Sequence, residues 1–452
     1  MSPKATFVIA TRAGDAALAD KVVLVLKLGL GMYACGHMSV DVEQFMVDVA
    51  AALDMPTPSI SVGHRVVQAS FGRYEAHVLR CGRDLVFSGL ADLTALANAI
   101  ANGECRTAAQ GLFVCDELLE RPLPYGWLVQ LLAFEGIVVM GVIVAYHGSL
   151  YDVLGAAICT PFLLLSMHLG RVLRVSHLEI MVVSFAMGVM GPLVFHYVSN
   201  GGQAICHIGY QFIAPLIIHL PGCQIIWGAL ELAQGSVVHG GTRIVNGMFQ
   251  AMLMATFVSL GWQIFGRHWA LGDESVLAKP GVQAEGPLTS LPPSVWCPEP
   301  WLAPAAGVPS WVTWYTVGVL SLPMLVFINV NLNIRPRESL GPLLCGVVGA
   351  YASLFLAYGM PIEATLPSYL QNIIVTFITA SAANGVEFAT GLSSVVCVVP
   401  FFFLIAPGSA AMMACIGAFH RDAGEMSYSS IHPLAAKCAR PEPYDIHYPA
   451  CS

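Results

Sequence analysis

The 452-residue chain is 56% hydrophobic and only 11% charged, with a mean hydropathy of +0.70. Soluble folds carry about 25% charged residues, so most of this chain must face lipid or other apolar segments, and an integral membrane protein is expected. A net charge of -8 speaks against nucleic acid as a partner, since such binders show a basic patch. Thirteen cysteines with no CxxC pair indicate neither a disulfide scaffold nor a zinc module.

The charge is uneven. Residues 1–124 hold 23 of the 48 Asp, Glu, Lys and Arg residues, which predicts a soluble N-terminal α+β domain. The apolar run from Val22 to Cys35 is broken by Lys27 and is not read as a cleaved signal. Helices are expected at 17–34 and 40–53, with a break at Cys35-Gly36 and Ser39 as N-cap of the second. Short β-branched runs at 59–62, 66–71 and 76–81 predict a small antiparallel sheet. Helical spacing returns at 85–102 and 106–119. This region holds no GxSxG, P-loop, GxGxxG or HExxH motif. Cys35 with His37, and His64 with Asp54, are only fragments of a catalytic set. An enzyme is therefore not expected, and no cofactor is implied.

From residue 125 apolar stretches follow one another. Spans are expected at 125–146, 150–169, 178–198, 204–220 and about 244–265, forming a first membrane module (125–266). A proline-rich linker (267–310) follows. The second module (311–419) has spans at 311–330, 340–358, 368–383 and 389–406. The apolar piece at 409–419 is too short to cross unaided, since a spanning helix needs about 20 residues, and 420–452 is a polar tail. The expected fold is an α-helical polytopic membrane protein with 9–10 transmembrane helices.

Pro221-Gly222 and Pro407-Gly408 both end apolar runs and lie 186 residues apart. The same offset carries the first four span starts to within about four residues of span starts in the second half, which indicates a repeat. Five spans per unit would place the copies upside down, as in many secondary transporters. The second copy then lacks its last helix. Arg171, Arg174, Arg243, Arg335 and Arg337 share one side with the N-terminal domain, which places that domain in the cytosol. The membrane, plasma or organellar, is not specified.

Glu135 lies mid-span in LLAFEGIVV. A carboxylate at that depth costs about 2.5–3.5 kcal/mol on insertion scales, so it needs a partner or a wet cavity and could carry a proton or hold an ammonium. Its other reading is an interhelical hydrogen bond. Pro221, Gly222, Pro407 and Gly408 are break points where exposed helix ends could receive a zwitterion; they also read as simple helix ends. Asn246, Gln250, Asn372, Asn384 and Glu387 could line a path or glue helices together. Glu231 and Arg243, twelve apart, are a candidate structural pair, the alternative being two separate interfacial charges. His196, His207 and His219 match no compact metal motif, and no metal site is expected.

The segment LPGCQIIWGALELAQGSVVHGGTRIVNGMFQA (220–251) and the N-terminal pattern of Gly36, Val42, Glu43 and Leu53 with LADLTALANAIANGE (90–104) resemble the threonine/serine exporter family. The likeness is to its eukaryotic form, typified by fungal pheromone-regulated membrane proteins. NGVEFATGLSSVVCVVPFFFLIAPG (384–408) fits more loosely, and the missing last helix and polar tail depart from the pattern. The resemblance implies a cytosolic N-terminal domain, two membrane modules, and transport of a small solute such as an amino acid through the lipid bilayer. It leaves room for a homo-oligomer. A membrane-anchored enzyme and a non-transporting receptor or organiser are the alternative classes.

Overall fold

The computed structural model describes residues 16–63, 66–71, 75–80, 86–105, 107–144, 150–172, 176–198, 215–217, 219–261, 264, 310–356 and 368–405. The expected break at Pro407-Gly408, the piece at 409–419, His64 and His207 lie outside them.

Helix α1 (Ala16–Ala34) is apolar nearly all round and buried accordingly, with Leu24, Val25, Leu28 and Leu30 essentially inaccessible. Helices α2 (Ser39–Ala52), α3 (Phe87–Ala101) and α4 (Ala108–Glu120) pack around it. Lys27, the charge that interrupts the apolar run, donates to Asp116 of α4 at 2.7 Å. Strands β1 (Ser59–Gly63), β2 (Val66–Phe71) and β3 (Glu75–Arg80) form one antiparallel sheet in sequential order, with Val62 opposite Val67 and Val67 opposite Leu79. Glu43 of α2 accepts from the Val62 N–H at 2.6 Å and ties helix to sheet.

Ser39 is not the N-cap. Met38 holds that position with extended backbone, and Ser39 opens the helix with its side chain turned to another partner. A polar contact from a distant segment outcompetes the local one, and the local pattern does not encode it.

The remaining helices are α5 (Trp127–Val144), α6 (Leu150–Val172), α7 (Ser176–Val198), α8 (Gly222–Ala233), α9 (Val237–Gly261), α10 (Ser310–Asn331), α11 (Leu340–Leu354), α12 (Ser368–Thr390) and α13 (Ser394–Ile405). Among the described residues three stretches are long and apolar enough to cross a membrane: Trp127–Val144, Val237–Gly261 and Leu370–Thr390. Helix α9 starts seven residues before the expected 244, because two glycines and a histidine near its start, polar by composition, still continue the helix. Helix α12 likewise runs past 383 to Thr390, so Asn384 and Glu387 are helical. It stops at Gly391, which adopts φ +71 and donates to the Glu387 carbonyl.

Helices α5 and α10 run antiparallel. Tyr125 donates to the Ile334 carbonyl at 2.9 Å and Gln130 to Asn333 at 2.7 Å. Further along, a Cβ added at Gly136 would meet the Phe327 ring at 2.5 Å, and one added at Gly141 would lie 3.9 Å from Met324. As one number rises the other falls. Helix α5 packs on α6 and α6 on α7; in the same way α10 packs on α11 and α11 on α12.

The apolar core is continuous from the N-terminal helices into the helical body. One cluster joins Leu24, Val42 and Leu90 to Met324, Ile328, Leu332, Val395 and Val399. The Phe87 N–H donates to the Leu332 carbonyl at the end of α10, at 3.2 Å.

Candidate solute site along helices eight and nine

Pro221 and Gly222 are buried, with Gly222 opening α8. Proline lacks the N–H that would continue a preceding ladder, so a new helix starts here. Helix α8 then meets α9 in an antiparallel hairpin closed by Gly235, which has φ +87. The two helices approach backbone to backbone: a Cβ added at Gly240 would stand 2.5 Å from the Gly228 carbonyl oxygen and 2.7 Å from the Leu232 nitrogen. Small residues allow such proximity in apolar surroundings, where packing rather than hydrophobic exclusion draws helices together.

Two polar clusters lie on this seam. Gln224 and Glu231 are seven apart on α8, Arg243 and Gln250 seven apart on α9, so antiparallel pairing brings both sets into register. At the break, Asn246 donates to Gln224 (3.1 Å), Gln224 to Gln250 (3.1 Å) and Gln250 to the His219 carbonyl (2.9 Å). This directional amide chain ends on a carbonyl that precedes the new helix. Two turns away, Arg243 Nη2 lies 3.0 Å from Glu231 Oε1, with side chains 5% and 0% exposed. The structure thus brings the twelve-apart pair together.

A third segment completes this second cluster. The Ser39 N–H donates to Glu231 Oε1 at 3.1 Å, and Arg243 Nη2 donates to Ser39 Oγ at 3.0 Å. Glu231 Oε2 and Arg243 Nη1 are buried and have no hydrogen-bond partner among the described residues. The carboxylate also sits at the positive end of α2, where the helix dipole favours an anion.

The other sequence-derived residues are dispersed. Glu135 is half-buried on α5, which packs against α6. Asn372 and Asn384 are exposed on α12, which packs against α11 and α13. His196 lies on α7. Among the described residues no group of three or more His, Cys, Asp or Glu is arranged to hold a metal. In the N-terminal region burial pushes the Cys115 thiol up to about 12, reinforced by Asp116 and only partly offset by Lys27, which disfavours the thiolate.

A junction not foreseen from the sequence sits on the other side of the N-terminal segment. Arg335, in the turn between α10 and α11, binds Asp92 of α3 through Nη1 (2.7 Å) and Nη2 (2.5 Å). Arg121 reaches the same carboxylate at 3.2 Å, and Glu338 accepts from Arg335 at 3.3 Å. Arg243 and Arg335 therefore both touch the N-terminal segment, one from each half of the chain.

Residues 23–265 match the family model of threonine/serine exporters; they run from α1 to just beyond α9. Pheromone-regulated membrane protein 10 of Debaryomyces hansenii is 25% identical over 207 residues, which make up 44% of this chain and 19% of that relative. The match thus spans about a fifth of the relative's length. No solved structure matches.

Proposed function

Since the chain belongs to the threonine/serine exporter family, we propose that it is a secondary transporter moving small amino acids or similar polar solutes across a membrane. In this reading two inverted halves carry out the transport, and Glu135 serves as the proton-coupling residue. The observation that carries it is the antiparallel crossing of α5 and α10. The 186-residue offset equates Val138 with Met324, and these two inaccessible residues sit at the middle of that crossing. A direct repeat would run equivalent helices parallel; an inverted one runs them antiparallel and leaves the solute site between the copies.

The amide chain at Pro221-Gly222 supports a polar route beside a helix break, where a carbonyl terminus attracts the ammonium of a zwitterion. Asn246 belongs to that route. By the 186-residue offset Pro407 and Gly408 are the counterparts of Pro221 and Gly222, and Asn372 and Asn384 on α12 are further candidates for a polar lining. The N-terminal segment is cytosolic in this reading: Arg335, in the turn between α10 and α11, contacts it, and short loops rich in arginine stay on the cytosolic side. Its grip on both halves suits a gate.

The test is counterflow of labelled L-serine and L-threonine in proteoliposomes, with and without a proton gradient. Flux that responds to the gradient is expected, and Glu135→Gln should remove the response while leaving counterflow. Absence of flux for every amino acid tried overturns the transport reading; unchanged gradient dependence in Glu135→Gln overturns only the role of Glu135.

A further inference from the structure

We infer that Ser39 is a tethered stand-in for the solute: it occupies a binding site formed by Glu231 and Arg243, and a free 2-amino-3-hydroxy acid takes its place when the N-terminal segment withdraws. The inference rests on the transport reading for its physiological sense, but the site itself stands on the geometry.

A serine residue presents here two of the three polar groups of free serine. Its nitrogen faces the carboxylate and its hydroxyl faces the guanidinium. The chain cannot supply the charges that a free amino acid carries, an ammonium at the nitrogen and a carboxylate next to it. Correspondingly, among the described residues one oxygen of Glu231 and one nitrogen of Arg243 remain without a hydrogen bond although both side chains are buried. An unsatisfied atom on a buried charged group costs more than one on a neutral group, so a ligand that completed both would be held strongly. An ammonium has three donors where the amide has one, and a carboxylate can take both guanidinium nitrogens in parallel. The pair has no net charge, and neither has a zwitterion, so exchanging Ser39 for the free amino acid keeps the site neutral.

The site is closed as it stands, with Ser39 itself 1% exposed. Ligand entry therefore requires α2 to move its first turn off the α8–α9 hairpin. Binding and closure compete for the same two side chains. The apparent affinity is reduced by the fraction of molecules in which Ser39 is bound, and weakening Ser39 relieves that reduction.

Two measurements on the full chain decide the matter. In the first, Ser39→Cys protein in detergent is treated with maleimide, and modification of the peptide carrying position 39 is read by mass spectrometry. L-serine should raise the modification rate several-fold, whereas ethanolamine, which lacks the carboxylate, and 3-hydroxypropionate, which lacks the ammonium, should not. In the second, Ser39→Ala, shown to be folded by its elution from a sizing column, should lower the half-saturating L-serine concentration for flux about two- to tenfold, the worth of one hydrogen bond. Flux in the wild type with neither effect overturns the inference and leaves transport standing. Labelling that rises with L-serine in a protein without flux sustains the site and overturns transport. Neither flux nor labelling overturns both, and equal labelling with ethanolamine overturns the two-charge recognition.

Discussion

The N-terminal segment meets the helical body at two charged sites that differ in their surroundings: at one, Ser39 hydrogen-bonds an ion pair internal to the body, and at the other Asp92 of the segment is bridged to Arg335. Glu231 and Arg243 meet in a dry seam, their side chains 0% and 5% exposed. Asp92 and Arg335 are 18% and 27% exposed, and Arg121 beside them 42%. Water screens the second junction and not the first. Removing one partner of a buried pair leaves an uncompensated charge, at about 3–5 kcal/mol, whereas exposed pairs are worth about 0–1 kcal/mol. The better-formed bidentate bridge is thus the one whose loss should cost less stability. The dry pair holds the α8–α9 hairpin together, and the segment is tied to it only through the two hydrogen bonds of Ser39.

The largest effect is expected from Glu231→Ala, which strands Arg243 and should lower stability in detergent by about 3–5 kcal/mol. Replacing both residues by apolar ones of similar size, Glu231→Met with Arg243→Leu, should recover most of the loss in the same unfolding experiment. If the double variant is no better than the single, the pair is not the source of the stability and the contrast fails.

Next comes the seam that keeps the dry junction closed. Gly240→Ala forces a methyl against the backbone of α8 and should destabilise by about 1–3 kcal/mol. The neighbouring Gly241 has nothing within 4 Å of an added Cβ, so Gly241→Ala should change thermal stability little. Equal effects at the two positions would deny the close approach of the helices.

At the wet junction Asp92→Asn should cost about 1 kcal/mol or less at low salt. The difference should shrink as ionic strength rises towards 1 M, where the screening length falls to about 3 Å. A salt-independent loss would mean that this junction is as dry as the other.

The smallest effect concerns Glu338. Burial raises its carboxyl above the usual 4.5, with Arg335 pulling it the other way and Asp92 adding to the rise. The folded protein then holds this proton to higher pH than the unfolded chain. The resulting stability is complete below 4.5 and is lost as pH climbs through the folded value. Glu338→Gln should remove that part of the slope in a pH series of melting temperatures; an identical slope would place the titration elsewhere.

Much of the fold was legible. The sheet follows its β-branched runs, with the third strand shifted by one residue, and each N-terminal helix lies within two or three residues of its periodicity. The two helix-boundary errors share a cause. Asn-Gly at 384–385 and the glycines before Arg243 look like helix breakers, yet α12 and α9 run through them, because long apolar helices tolerate glycine where neighbours pack closely or where nothing opposes it. Glu231 and Arg243 were visible as rare charges in an apolar region, and the structure joins them. Gln224 was not singled out, although its seven-residue spacing from Glu231, mirrored by Arg243 and Gln250, would have revealed the seam. Asp92 and Arg335, 243 positions apart, carry no local signal.

Composition and periodicity determined that this chain is a membrane protein with a charged N-terminal segment, since hydropathy and spacing act residue by residue along the chain. The 186-residue offset, too, is a property of the sequence. Which charges meet was decided only by tertiary structure. Ser39 lies 192 residues from Glu231 and 204 from Arg243, and nothing nearby in the chain distinguishes it from any serine at a helix start. Its N–H turned to a buried carboxylate because folding removed the water that would otherwise have served both.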